Sequence, residues 1–236
     1  MVMIDQLRTY KKEEVIFSYF FVLPIIILAV IFIIIPLISV FWLGFTNWDM
    51  VSDKAKFIGL KNYKYLINNE KFQKSIINTL YFAGVKIPLD LVLSLFIATL
   101  LDKKIRGRSF FRATFFLPVV IPMVAASIVW LWLYNPMISP LNQILSLFHL
   151  KPSRWLYDPK LSMLCVIFFS LWKGLGYNIV IFLAGLQSIP NTYIEAASID
   201  GATPNKIFFK ITLPLLSPIT FFVVLMGIIK SFNVFT

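Results

Sequence analysis

The sequence predicts an all-α membrane protein built as a polytopic helical bundle, and three observations carry that reading. Hydrophobic residues make up 59% of the 236 and charged residues 14%. An average soluble domain carries about 25% charged residues, so this chain lacks the polar groups to coat a globular surface. Apolar runs of about 20 residues, the helical length that crosses a hydrocarbon core of about 30 Å, recur along it. None of them alternates apolar and polar residues as a lipid-facing barrel strand does, which leaves the helix as the element that satisfies its own backbone in lipid. The formal net charge of +11 comes with no nucleic-acid motif. Many of the basic residues sit in short links between apolar runs, where they read as topology signals and headgroup contacts.

Five spans follow by length: 15–43, 77–101, 114–134, 161–187 and 213–235. Val15 to Trp48 holds no charged residue. That is far longer than the hydrophobic part of a signal peptide, and no small-residue cleavage site follows it, so it is expected to be a retained span. Pro24 and Pro36 predict a tilt or kink within it. The link Asp102 to Arg112 packs five basic residues into eleven and is placed on the cytoplasmic side. The N-terminus, with Arg8, Lys11 and Lys12, and the segment 188–212 then also fall inside, while 44–76 and 135–160 fall outside. Density of basic residues, rather than their total, decides this orientation. In the first outer segment, FIGLKNYKYLINNEKF (57–72) is read as a short helix capped by Asn62, with Tyr63 and Leu66 on its apolar side. In the second, LNQILSLFHL (141–150) is read as a helix lying in the interface.

The segment 188–212 is polar and small between two greasy spans. Asn191 is a plausible N-cap and Gly201 a natural stop, since glycine enters the left-handed conformation without steric cost. Tyr193, Ala196, Ala197 and Asp200 share one face between them. A second short helix is expected at once, with Thr203 as cap, Pro204 in the first helical position, and Ile207, Phe208 and Ile211 as an apolar stripe. Read on its own, this helix–turn–helix is either an ordinary amphipathic connector or an interface, with Glu195 and Asp200 offering charge to basic partners.

The order Glu195-Ala196-Ala197, three residues, Gly201, nine residues, Ile211, one residue, Leu213-Pro214 resembles the EAA signature of permease subunits of binding-protein-dependent ABC importers. FIGLKNY (57–63), NTLYF (78–82), FRATFFLP (111–118), IVWLWLYNP (128–136) and SLWKGLGYNIVIFLAGLQSIP (170–190) are similar to the carbohydrate branch of that family. The resemblance covers essentially the whole chain, taken as one transmembrane permease domain, 1–236. It implies import of a sugar, oligosaccharide or sugar-like solute by alternating access. It implies a coupling role for Glu195, Ala196, Ala197, Asp200 and Gly201 in a cytoplasmic helix that docks on an ATPase. It further implies a second permease subunit in a heterodimer, two ATPase subunits that use the ATP and magnesium, an extracellular solute-binding protein, and a bacterial or archaeal inner membrane with the N-terminus cytoplasmic. Family members usually have six spans or more, so the last span is expected to be missing from a chain that ends at Thr236.

Other polar residues inside the spans are open to two readings each. Lys86 and Asp90, four apart across Pro88, form either a local ion pair or part of a solute path, since a lone charge in lipid is expensive. Trp172, Lys173, Tyr177 and Asn178 are candidates to line the path, with aromatic faces for sugar rings and an amide for hydroxyls, or are helix-packing residues. Asn233 joins the path candidates, and Lys230 beside it is read as snorkelling to the surface. His149, the only histidine, is placed at the interface rather than on a metal. Cys165, the only cysteine, excludes an internal disulfide, and no zinc motif exists. No G-x-x-x-x-G-K-[ST] motif occurs, so ATP must be held by a partner and no cofactor by this chain. A permease for an amino acid or polyamine, an integral-membrane enzyme and a passive channel remain as alternatives. No loop clusters His, Asp or Glu for an enzyme, and a channel has no need of the coupling signature.

Overall fold

The computed structural model describes residues 17–48, 55–103 and 106–233. The basic residues near the N-terminus, together with Lys104 and the last three residues, lie outside these. The chain divides into two compact units, 1–73 and 74–236.

In the first unit, helix α1 runs from Phe17 to Leu43. The kink expected of its prolines takes a definite form: a π-turn over Val30–Ile34, with the Ile35 N–H donating to the Val30 carbonyl. The proline ring at position 36 crowds the carbonyl four residues back, and a widened turn relieves that clash. After Leu43 the chain turns, and Thr46 pairs with Phe57 in an isolated antiparallel bridge. Helix α2 spans Lys61–Asn68. Asn62 does not cap it. It lies inside the first turn, where its amide donates instead to the carbonyls of Gly44 (3.0 Å) and Thr46 (2.9 Å), because these turn carbonyls have no helical partner to take. Tyr63 packs on Phe45, centroids 5.3 Å apart. Helix α3, Glu70–Asp102, begins here and continues unbroken through Pro88.

In the second unit the third predicted span is not one helix. Helices α4 (Arg108–Val120) and α5 (Met123–Leu133) meet at 97°. The cause is local: Pro122 cannot donate and forces Ile121 out of the helical region, to ψ 132°. Helix α6, Pro140–Leu147, starts from Ser139, whose hydroxyl accepts from the Asn142 N–H. A 3-10 turn, Trp155–Tyr157, leads to α7, Ser162–Ser188. Helix α8 covers Asn191–Ile199. Then α9, Pro204–Leu215, meets α10, Ser217–Phe232, at 63°. A second π-turn, Phe208–Thr212, precedes Pro214 just as the first precedes Pro36. Among the described residues three helices are long and apolar enough to cross a membrane, and the number is five if each bent pair is one span.

The core of this unit forms around α7. Ile179, Phe182 and Leu183 pack with Ala98 and Leu101 of α3 and Val223 of α10. Ile167 and Leu171 pack with Phe82. Two glycines set the approach distances. A Cβ at Gly176 would overlap the backbone of Phe115, and one at Gly185 would overlap Leu216 and Ile219. Small residues at helix crossings let backbones touch, which is the main source of packing energy where lipid is as apolar as leucine.

Candidate functional site

A cavity of about 290 Å³ lies among α3, α7 and α10, lined by Phe82, Lys86, Asp90, Lys173, Asn178 and Lys230 among others. That is the small end of the range for ligand pockets, about 300–1,000 Å³. The cavity face of α7 is the stripe Val166, Phe169, Ser170, Lys173, Gly174 and Asn178, residues three or four apart as a helix requires. Trp172 sits about 100° round the helix from Lys173 and does not reach it. Its ring packs instead on Trp130 (5.5 Å) and Phe169 (6.5 Å), so the predicted Trp172/Tyr177/Asn178 edge is divided.

Each charged residue in the cavity has its own arrangement. Lys86 and Asp90 form the local ion pair, 2.8 Å apart, with both side chains buried. The Lys86 ammonium engages Asp90 Oδ2, while Oδ1 is buried with no hydrogen-bond partner among the described residues. Lys173 reaches the α4–α5 break, where its ammonium donates to the carbonyls of Pro118 (2.7 Å), Val119 (3.1 Å) and Ile121 (2.7 Å). Those carbonyls end a helix and carry its negative partial charge, so three ammonium hydrogens meet three orphan acceptors. This role was not legible in the sequence. The acceptors exist only because the span breaks, and they come from more than 50 residues away. Lys230 is an exposed residue of the cavity lining. Its Nζ lies 4.6 Å from the centroid of the Tyr177 ring, a cation–π distance. Asn233 stands one residue past α10, its N–H donating to the Lys230 carbonyl.

The segment after α7 is the second candidate region. Ser188 ends α7, and α8 begins at Asn191 with Pro190, not the asparagine, in the cap position. Thr203 occupies the N-cap of α9 without a side-chain hydrogen bond, and Pro204 follows it as expected. Gly201 adopts φ +75°, the left-handed conformation that ends α8 and turns the chain. Glu195, Ala196 and Asp200 are exposed, and Ala197 is half-buried. Ile199 is 86% exposed. Among the described residues no cation pairs with Glu195 or Asp200. Behind this loop, the ends of three helices are tied together. Asp102 of α3 pairs with Arg108 at 3.6 Å. The Gln187 amide, in the orientation that satisfies it, accepts from Arg108 and from Arg112.

Comparison with known proteins agrees with this layout. The family model described as "Binding-protein-dependent transport system inner membrane component" matches residues 90–236. The sn-glycerol-3-phosphate transport system permease protein UgpA of Pectobacterium atrosepticum is 33% identical over 216 residues, 91% of this chain and 72% of that one. The trehalose/maltose transport system permease protein MalF of Thermococcus litoralis is 31% identical, over 95% of this chain and 76% of its own. A chain of a bacterial ABC transporter that imports the acidic polysaccharide alginate matches in fold with a TM-score of 0.80 at 23% identity, over 98% of this chain and 77% of that one. The chain belongs to the family of inner-membrane components of binding-protein-dependent transport systems and is a transporter subunit, not an enzyme.

Proposed function

We propose that the chain forms one half of the membrane pore of an ATP-driven importer for a sugar or sugar-like solute, in a bacterial or archaeal inner membrane with its N-terminus in the cytoplasm. One observation carries the coupling part of this reading: an exposed helix, α8, is strung between two of the helices that line the cavity, α7 and α10. A push on α8 acts on α7 through the short Ile189-Pro190 link and on α10 through α9. Gly185 against Leu216 and Ile219 makes the α7 end and the α9–α10 bend a close-packed joint, which transmits displacement rather than absorbing it. Partner ATPases seated on α8 would close on ATP and magnesium and rock the cavity from one face to the other. A related second permease would complete the cavity wall, and a solute-binding protein would deliver from outside. The sugar reading is supported by the relatives at over 30% identity, whose names assign them glycerol phosphate and trehalose or maltose.

The test is reconstitution of the permease pair with its ATPases and binding protein in liposomes. ATP-dependent uptake of a radiolabelled sugar or polyol phosphate is expected, abolished by Gly201→Val with the complex still assembled. Uptake of an amino acid or polyamine instead, or uptake without ATP, would overturn this reading.

A further inference from the structure

We propose that Arg108 and Arg112 bind the phosphate headgroup of an anionic phospholipid where α3, α4 and α7 end together. The inference needs only the membrane setting that the family provides, and none of the solute or coupling claims above. The two arginines stand four apart in the first turns of α4, so their side chains share one face. Both guanidiniums donate to a single acceptor, the amide oxygen of Gln187 in the last turn of α7. That oxygen carries no formal charge. Among the described residues one carboxylate lies within ion-pair distance, that of Asp102, at 3.6 Å from Arg108, which is too long for a hydrogen bond. Arg112 has no carboxylate among them. Like charges at this helical spacing repel, so the fold holds two cations side by side with less than one full counter-charge. Both side chains are partly exposed. Each Nε is buried and beyond a ligand's reach, which leaves the outer N–H groups of the two guanidiniums as the donors that a ligand meets.

The surroundings select the anion. The link from Asp102 to Arg112 carries five basic residues and one acid, and its Lys103 and Arg106 are exposed. The flanks of the arginine face are apolar. Phe111, three residues after Arg108, is 44% exposed, and Phe116, four after Arg112, is 37% exposed. At that spacing an exposed ring stands beside each arginine. The helix continues in exposed apolar residues, Leu117 and Val120, which places the pair at the headgroup edge of the hydrocarbon layer. Planar guanidiniums suit phosphate oxygens, the rings suit the first methylenes of acyl chains, and basic pockets at the ends of membrane helices gather anionic headgroups. A free phosphate matches the charge and gains nothing from the rings. An acidic protein surface also matches the charge, but leaves the rings without hydrocarbon.

The permease pair with its ATPases, in a neutral detergent, is titrated with dioleoylphosphatidylglycerol, dioleoylphosphatidylcholine or inorganic phosphate, and bound lipid is counted by native mass spectrometry. Phosphatidylglycerol is expected to bind about tenfold or more tighter than phosphatidylcholine, with millimolar inorganic phosphate unable to displace it. Arg108→Gln/Arg112→Gln is expected to weaken the tightest-bound phosphatidylglycerol about tenfold or more, while Lys103→Gln/Arg106→Gln stays within about threefold of the parent. Equal binding of the two lipids, or no effect of the arginine double change, overturns the proposal. An equal loss on changing Lys103 and Arg106 shows diffuse attraction instead of a site and overturns it too. Displacement by inorganic phosphate assigns the pair to a soluble anion. Detachment of the ATPases from the arginine variant with lipid binding unchanged assigns it to a protein contact, and either outcome overturns the proposal. Where the double variant does not assemble, Arg112→Gln alone, which leaves the Asp102–Arg108 pair in place, is read by the same criteria.

Discussion

The loop at 188–212 and the polar residues inside the helices solve opposite problems. In the loop, α8 keeps Tyr193, Ile194 and Ile199 in the open and leaves both its acids without a cation among the described residues. Inside the helices, Lys86 and Asp90 hold one another at 2.8 Å, and Lys173 holds three carbonyls. A polar group in water can wait for a partner at little cost, whereas one in hydrocarbon cannot. The chain therefore completes its own interior and leaves the loop incomplete for another surface.

The sharpest way to break this contrast is at Lys173. Replacing it with Met strands three carbonyls at the α4–α5 break, and an unmet buried acceptor costs about 1–3 kcal/mol. Lys173→Met is expected to lose about 3 kcal/mol or more and to fail in assembly, whatever solute is present. Thermal unfolding of the detergent-solubilised complex measures it. A stable Lys173→Met that loses only solute uptake would move Lys173 from the scaffold to the solute path.

Lys86 and Asp90 come next. Lys86→Met or Asp90→Leu alone leaves a buried charge unpaired and is expected to cost about 3–5 kcal/mol, with the double change costing clearly less than either. A double-mutant cycle on the same unfolding signal tests this. If the double change is as damaging as the two singles summed, the pair is not neutralising itself.

A smaller effect is expected at the α4–α7 crossing. Gly176→Ala drives a methyl into the Phe115 backbone and is expected to cost about 1–3 kcal/mol. Gly174→Ala meets nothing within 4 Å and is expected to be close to neutral. Equal effects at the two positions would show that the crossing tolerates more separation than its geometry implies.

How much of this was readable from the sequence follows the same division. Span positions, the Gly201 turn and the exposed EAA helix were legible, because hydrophobic length and glycine conformation are local properties. The Lys86–Asp90 pair was legible as one of two readings, since a spacing of four residues on a helix fixes the proximity. The break at Ile121 was missed although Pro122 signalled it, because the apolar run continues straight through and length outweighed the proline. The roles of Lys173 and Asn62 were illegible, since their acceptors are carbonyls freed by turns elsewhere in the chain. Trp172 was misplaced by about one residue's rotation on α7, and a helical wheel without a known cavity cannot fix that phase. Lys230 lies near the end of its span and is exposed there, with the Tyr177 ring beside it.

At Gly201 the expected effect on stability is modest, about 1–2 kcal/mol for valine in left-handed backbone, and its consequence for coupling is the greatest. If α8 is an interface, cysteines placed on it cross-link to the subunit it touches. In a Cys165→Ser background, Ile199→Cys is combined with single cysteines across the facing groove of the ATPase subunit, and the assembled complex is oxidised with and without ATP. A permease–ATPase cross-link is expected, with a yield that changes with nucleotide and a formation that locks uptake. An Ile199→Cys that stays unlinked in every nucleotide state and reacts freely with a water-soluble thiol reagent in the active complex would show that α8 touches no ATPase, and would contradict it.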